Sequence, residues 1–191
     1  MTVFREEFGR LYQRFEALGL PLFVGGSLAA MVYGEPRSTL DIDVVIQATP
    51  PDAERFVSAF PPREFYLPPL EVIRDELARG SSGQFNVIDL ASGLKADVYP
   101  AGEDPLIAYG MAEAVEHDSR GQTYRVAPPT YVVAMKLRFF SISKQDKHLR
   151  DVRSILEVSP ELLDFERVGE WAQRYGVEDA WLDCQARAGE E

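Results

Sequence analysis

Residues 25–46, GGSLAAMVYGEPRSTLDIDVVI, decide how this chain is read. A glycine pair and Ser27 stand ahead of a short apolar helix that Gly34 can stop, and two aspartates then occupy alternate positions of a β-branched run. The apolar run at 20–24 precedes them, so the order reads strand, tight turn, helix, strand. Alternation along residues 41–46 puts Asp41 and Asp43 on one face of their strand and Ile42 on the other. A glycine turn lets backbone amides approach a ligand, and a helix N-terminus adds unsatisfied N–H groups and a positive dipole end; phosphate suits both. The same turn also reads as an ordinary one with Ser27 as the N-cap. The two acids read either as a solvated strand face partnered by Arg37 or as a pair whose repulsion a divalent cation relieves.

Working outward, Phe8, Leu11, Tyr12, Phe15 and Leu18 recur at three- and four-residue steps, which predicts an amphipathic helix over 5–18 ended by Gly19. Residues 51–60 predict a short helix, the proline-rich 61–70 a loop, and 70–80 another helix. QFNVIDL and LKADVY flank Ala91-Ser92-Gly93 as a hairpin, with Lys95, Asp97 and Tyr99 on one face. A second hairpin is predicted around Ser119-Arg120-Gly121. From Pro128 onward the pattern is helical, in four segments broken by Pro160 and Gly176. The expected organisation is an α/β core over 1–127 and a helical extension over 128–191, with disorder only at the final Ala-Gly-Glu-Glu.

Composition narrows the chemistry. Apolar residues are 46% and charged residues 27% of the 191, which is ordinary for a globular chain. No apolar run approaches the roughly 20 residues of a membrane span, and the first residues lack a secretory h-region, so a soluble cytoplasmic protein is expected. Cys184 is the only cysteine, and His117 and His148 are the only histidines. A metal would therefore be held by oxygen, which favours Mg²⁺, Mn²⁺ or Ca²⁺. The net charge of -11 repels phosphate backbones, which disfavours extended nucleic-acid binding.

Asp97 joins the two halves of the deciding stretch. Three aspartates on adjacent strands can hold two Mg²⁺ beside a triphosphate whose tail lies in the glycine turn; one ion then activates a hydroxyl and the other neutralises the leaving pyrophosphate. Asp97 reads alternatively as a hairpin acid paired with Lys95 or Arg37.

Taken together, Gly25-Gly26-Ser27, Asp41-Ile42-Asp43 and Asp97 within KADVY resemble the nucleotidyltransferase superfold shared with DNA polymerase β and the minimal nucleotidyltransferases. Arg37-Ser38-Thr39 before the DxD is similar to the R-x-[ST]-x-D-[IL]-D stretch of the subgroup related to AbiEii-type toxins and small uncharacterised nucleotidyltransferase-like proteins. The resemblance implies an α/β fold, a mixed β-sheet flanked by helices with a short C-terminal helical extension. It implies that Asp41 and Asp43 bind both metal ions, with Asp97 a metal ligand and general base. It also extends to Lys136 on one later helix and to Lys147 or Arg150 with Asp151 on the next; Lys136 would neutralise nucleotide phosphates while Asp151 fixes Lys147 or Arg150. Lys147 and Asp151 read alternatively as an i, i+4 surface pair.

The expected activity is metal-dependent transfer of an NMP from an NTP to a hydroxyl of a small molecule, protein or RNA. The AbiEii likeness adds a toxin-antitoxin setting with a cognate antitoxin or other partner protein. A non-catalytic nucleotide-binding or interaction module is the alternative; a Ca²⁺-binding structural domain is disfavoured because EF-hand spacing is missing. Tyr33, Phe85, Tyr99 and Phe139 are expected in the core rather than as stacking platforms.

Overall fold

The computed structural model of the protein describes residues 6–39 and 41–188. Residue 5 of the predicted first helix, Leu40 of the deciding stretch and Gly189-Glu190-Glu191 lie outside the described residues, whereas Ala188 closes a helix.

The chain folds in the order α1 (Glu6–Glu16), β1 (Leu22–Val24), α2 (Gly26–Tyr33), β2 (Asp41–Ile46), α3 (Ala53–Ala59), β3 (Phe65–Tyr66), α4 (Leu70–Ala78), β4 (Phe85–Asp89), β5 (Lys95–Pro100), α5 (Pro105–Glu113), β6 (Val115–Ser119), β7 (Gln122–Val126), α6 (Pro129–Ser143), α7 (Lys147–Val158), α8 (Phe165–Tyr175) and α9 (Glu178–Ala188). The strands form one seven-stranded mixed sheet in the order β3-β4-β5-β2-β1-β7-β6. β2 runs parallel to β5 and β1 parallel to β7, and the other neighbours are antiparallel.

The β-branched residues that predicted β2 put it near the middle of the sheet, where Ile42, Val44 and Ile46 are fully buried. α1 lays its stripe of Phe8, Leu11, Tyr12 and Phe15 on the core. The Tyr12 hydroxyl accepts the Arg125 N–H at 2.9 Å, which pins α1 to β7. α2 is held just past the end of the same strand, its Tyr33 hydroxyl donating to the Ala127 carbonyl at 2.9 Å. α6 packs against α2, α5, α7 and α8, and α7 reaches α2 and α9. The α7 stripe of Leu149, Val152, Ile155 and Leu156 is buried as its spacing predicts.

Three local expectations are corrected. The proline-rich 61–70 contains β3, paired to β4 through Phe65 and Asp89. α5 forms where no element was assigned; its signal was Asp104-Pro105, because the Asp104 carboxylate accepts the Leu106 and Ile107 N–H groups while Pro105 begins the helix. Residues 160–162 make a separate 3₁₀ turn, and α8 starts only after Asp164, whose carboxylate accepts the Arg167 N–H.

The β4–β5 turn sets the register of the strands beside β2. Buried Asp89 accepts the Ala91 and Ser92 N–H groups and a bond from Arg10 of α1. Burial works to raise its pKa, but the Arg10 bond and the two N–H bonds outweigh burial and hold the carboxyl below its ordinary value. A depressed carboxyl contributes stability that is present above the unfolded pKa of about 4 and is lost as pH falls through the folded value. Asp89→Ala should therefore lower unfolding free energy at pH 7 by about 2–4 kcal/mol, because it strands the turn amides and Arg10. In denaturant titrations the deficit should shrink as the pH drops below about 4.

Candidate active site

The parallel pairing of β2 with β5 builds a ladder of three rows on one sheet face: Asp41 opposite Lys95, Asp43 opposite Asp97, and Val45 opposite Tyr99. β4 adds Asn86 opposite Asp97, so the middle row is Asn86, Asp97, Asp43. Directly paired residues share a face, which brings all three side chains to one side of the sheet.

Asp43 is pressed against the start of α2. A methyl group on Gly26 would sit 1.7 Å from its Oδ2, and Gly26 has φ +59°, so this position requires glycine on both counts. The Gly25 N–H donates to the Asp43 backbone carbonyl at 2.8 Å, locking turn to strand. Burial pushes the Asp43 carboxyl up and the Asp97 charge adds to this, while Lys136 and the Ser27 N–H work against it. Burial together with these acids also drives the Tyr99 phenol well above its ordinary value.

Lys95 bridges the outer acids. Its Nζ lies 3.0 Å from Asp97 Oδ2 and 3.7 Å from Asp41 Oδ1, and the bond to Asp97 is the main cause of its raised pKa. The hairpin pairing left open by the sequence therefore exists, yet it satisfies only one oxygen. Among the described residues nothing donates to the buried Oδ1 of Asp97, nor to the buried Oδ1 of Asn86 beside it. Orphaned buried acceptors are uncommon, and a cation or hydroxyl donor would satisfy both. Among the described residues, no three Asp, Glu, His or Cys side chains converge to hold a metal unaided. The oxygens that fit a hard divalent cation are those of Asp43 and the orphaned Oδ1 of Asp97, with Asp41 one row along.

The helical residues meet differently from expectation. Asp151 pairs with Lys136 at 2.6 Å and with Arg37 at 3.4 Å, rather than with Lys147 or Arg150. Lys147 is exposed and Arg150 faces Asp146, because the buried stripe of α7 turns Asp151 toward α6 and the other two outward. Arg37 in turn donates to Ser27 Oγ at 2.7 Å. Ser27 is therefore not the cap of α2; Gly25 holds that position without a side-chain bond.

A cleft of about 230 Å³ opens above the ladder, lined by Gly25, Gly26, Asp43, Tyr99, the 81–84 loop and the α6 face carrying Lys136. Tyr33 and Phe85 are buried as expected. Tyr99 is only half-buried, and Phe139 is 43% exposed on the cleft wall, stacked on His148 with ring centroids 5.7 Å apart. Its exposed neighbour Ile142 lines the cleft too. Asn86, the 81–84 loop and this α6 wall were missed; only the glycine-serine composition of GSSG at 80–83 signalled that a loop lies there.

No family model matches the chain, and no curated protein does. Solved structures with the same fold include the antibiotic-resistance factor ANT(2'')-Ia in solution, with a TM-score of 0.58 and 15% identity over 94% of this chain and 95% of that one. ANT(2'')-Ia in complex with adenylyl-2''-tobramycin gives a TM-score of 0.57 at 14% identity, covering 88% of this chain and 96% of that one. An antigenic nucleotidyltransferase-like protein from Paracoccidioides brasiliensis gives 0.52 at 16% identity, over 92% and 89%. The seven-stranded mixed sheet flanked by helices is thus the nucleotidyltransferase fold, as the sequence predicts. Among the described residues no helix is long and apolar enough to cross a membrane.

The Gly26–Asp43 contact can be tested against Gly93, which also has positive φ (+73°) but open space around it. Gly93→Ala should cost about 1–2 kcal/mol, the left-handed strain alone. Gly26→Ala should cost about 1–3 kcal/mol more, because the new methyl displaces the Asp43 carboxylate. Parallel chemical denaturation of the two variants measures the difference.

Proposed function

We propose that the protein is a nucleotidyltransferase that moves an NMP from an NTP to an acceptor hydroxyl and releases pyrophosphate. The observation that carries this reading is the middle row of the ladder, where half-buried Asp43 and buried Asp97 stand side by side and Asp97 keeps an orphaned oxygen. In this reading residues 1–127 are the catalytic core, and residues 128–191 are an extension that supplies Lys136 and Asp151.

Asp41, Asp43 and Asp97 would hold Mg²⁺ or Mn²⁺. Bound there, the metal supplies a lowered hydroxyl pKa and neutralises charge on the phosphates. The Gly25-Gly26-Ser27 turn and the first amides of α2 receive the phosphate tail. Lys136 offsets its charge from the cleft wall, held in place by Asp151, and Arg37 ties Ser27 to the same carboxylate. The Asp97 carboxylate accepts the proton of the acceptor hydroxyl; the resulting oxygen bonds to the α-phosphorus as the bond to the β,γ-pyrophosphate breaks. Asn86 beside it orients the acceptor. Lys147, exposed on α7, would serve as an outer phosphate contact.

A small-molecule acceptor is favoured over RNA by the net charge of -11 and by likeness of fold to ANT(2'')-Ia, whose complex holds an adenylylated small molecule. A toxin-antitoxin role, with a partner protein, rests on the likeness around residues 37–43. The cytoplasm is the compartment in which NTP is at hand.

Two measurements test the reading. Mg²⁺ and NTP together should raise Tm by several degrees, and Asp41→Asn with Asp43→Asn should abolish the shift. An unchanged shift in that double variant would remove the metal site. Label from the α-phosphate should pass to a small-molecule fraction; a Tm shift without transfer to small molecules, protein or RNA would favour the non-catalytic nucleotide binder. Lys136→Ala should cut transfer by about 10²-fold or more. Asp151→Ala should cost less, because it removes only the support of Lys136.

A further inference from the structure

Lys95 stands where its strand places a cation among carboxylates. It precedes Asp97 by two residues and so shares its face, and the β2–β5 register sets it opposite Asp41. Its ammonium touches both outer acids, while Asp97 Oδ1 remains buried without a donor. We propose that Lys95 is a resident counter-ion occupying one of the places a divalent cation takes among Asp41, Asp43 and Asp97, so that metal loads together with the nucleotide rather than before it. This inference rests on the nucleotidyl-transfer reading for the presence of a divalent cation at these acids.

An ammonium on a four-carbon stem is a compact point charge that can withdraw, unlike a guanidinium held by a planar fork. The Lys95 side chain is one-third exposed, which leaves it a way out toward solvent. A metal that takes Asp97 Oδ2 and Asp41 Oδ1 displaces Lys95 from both, and one seated on Asp97 Oδ1 meets the ammonium charge on the same carboxylate, so in either case Lys95 weakens metal binding to the bare protein. A triphosphate changes the balance because it brings oxygen ligands for the metal and anionic partners for the displaced ammonium. Metal and nucleotide then favour each other's binding, as two ligands do when each removes the same obstacle. Free Mg²⁺ alone leaves Asp41 and Asp97 paired with Lys95, and the carboxylates stay compensated between turnovers.

The test is Mn²⁺ binding, read by the paramagnetic resonance of free Mn²⁺, in wild type, Lys95→Met and Lys95→Arg without nucleotide. Lys95→Met should bind Mn²⁺ about tenfold or more tightly than wild type, the size of effect a neighbouring charge exerts on a carboxylate. Lys95→Arg should bind no better than wild type. The gap between wild type and Lys95→Met should narrow when a non-hydrolysable NTP is added. A second measurement needs no variant: brief acetylation of the wild-type protein, with mass spectrometry, should show Lys95 protected in the bare protein and more reactive once Mg²⁺ and the NTP analogue are bound. Equal Mn²⁺ affinity in wild type and Lys95→Met, or Lys95 reactivity indifferent to loading, overturns the inference alone. No Mn²⁺ binding to either protein, with or without nucleotide, overturns the metal reading and the inference with it.

Discussion

The parallel register of β2 and β5 is the constraint on which the site depends. It sets Asp43 beside Asp97 across a strand spacing of about 4.8 Å, at which two unit charges repel by roughly 3.5 kcal/mol at an effective dielectric near 20. A slip of one residue between the two strands would remove the repulsion by sending one of the two acids to the buried face. The register is kept by Ile42 and Val44 on the opposite face, fully buried beside Ala96 and Val98. Hydrophobic burial on one side of the sheet thus enforces electrostatic frustration on the other. Much of what surrounds the ladder moderates that frustration: the amides of α2 face Asp43, Lys95 faces Asp97 and Asp41, and Lys136 acts on Asp43 from above.

Lys136 could not do this from a free surface helix. It is 7% exposed because α6 packs its other side chains on α2, and burying an ammonium is costly unless it is paired. Asp151 provides one at 2.6 Å and reaches Arg37 as well, which returns to Ser27 at the glycine turn. Three segments far apart in sequence therefore close a loop of charge around the start of α2. The helical extension and the sheet share one polar network, and the position of α7 is coupled to the turn through a single carboxylate.

Most of the fold was legible because its elements obey simple periods. The stripes of α1 and α7, the alternation of β2 and β5, and the two tight hairpins all read correctly. The elements that escaped are those whose signals lie outside periodicity: α5 is marked by a cap and a proline, and β3 is a two-residue edge among prolines. For the candidate site, the shared face of Asp41 and Asp43 and that of Lys95, Asp97 and Tyr99 were legible because alternation along each strand fixes a face. Neither Asn86 nor the link from Asp151 to Lys136 could be read, because one depends on antiparallel register and the other on how two helices dock. Phe139 followed the usual rule for aromatics and broke it, since α6 ends at the cleft mouth and leaves part of one face uncovered.

Two buried aspartates in this protein differ in how fully the fold satisfies them. Asp89 is 1% exposed and Asp97 is 8% exposed, so both have lost most of their water. Asp89 receives Arg10 and two backbone amides, enough to hold its pKa below the ordinary value despite burial. Asp97 receives Lys95 on one oxygen and nothing on the other, and its nearest neighbours in the row are another carboxylate and an amide oxygen that is itself orphaned. A fold that satisfies Asp89 so fully can evidently supply donors to a buried acid. A binding module that needed only a stable sheet would gain by giving Asp97 the same treatment or by replacing it with an apolar residue, since unsatisfied buried acceptors cost about 1–3 kcal/mol each. An oxygen left open beside Asp43 is what the proposed transfer to a hydroxyl would use and what mere stability would remove.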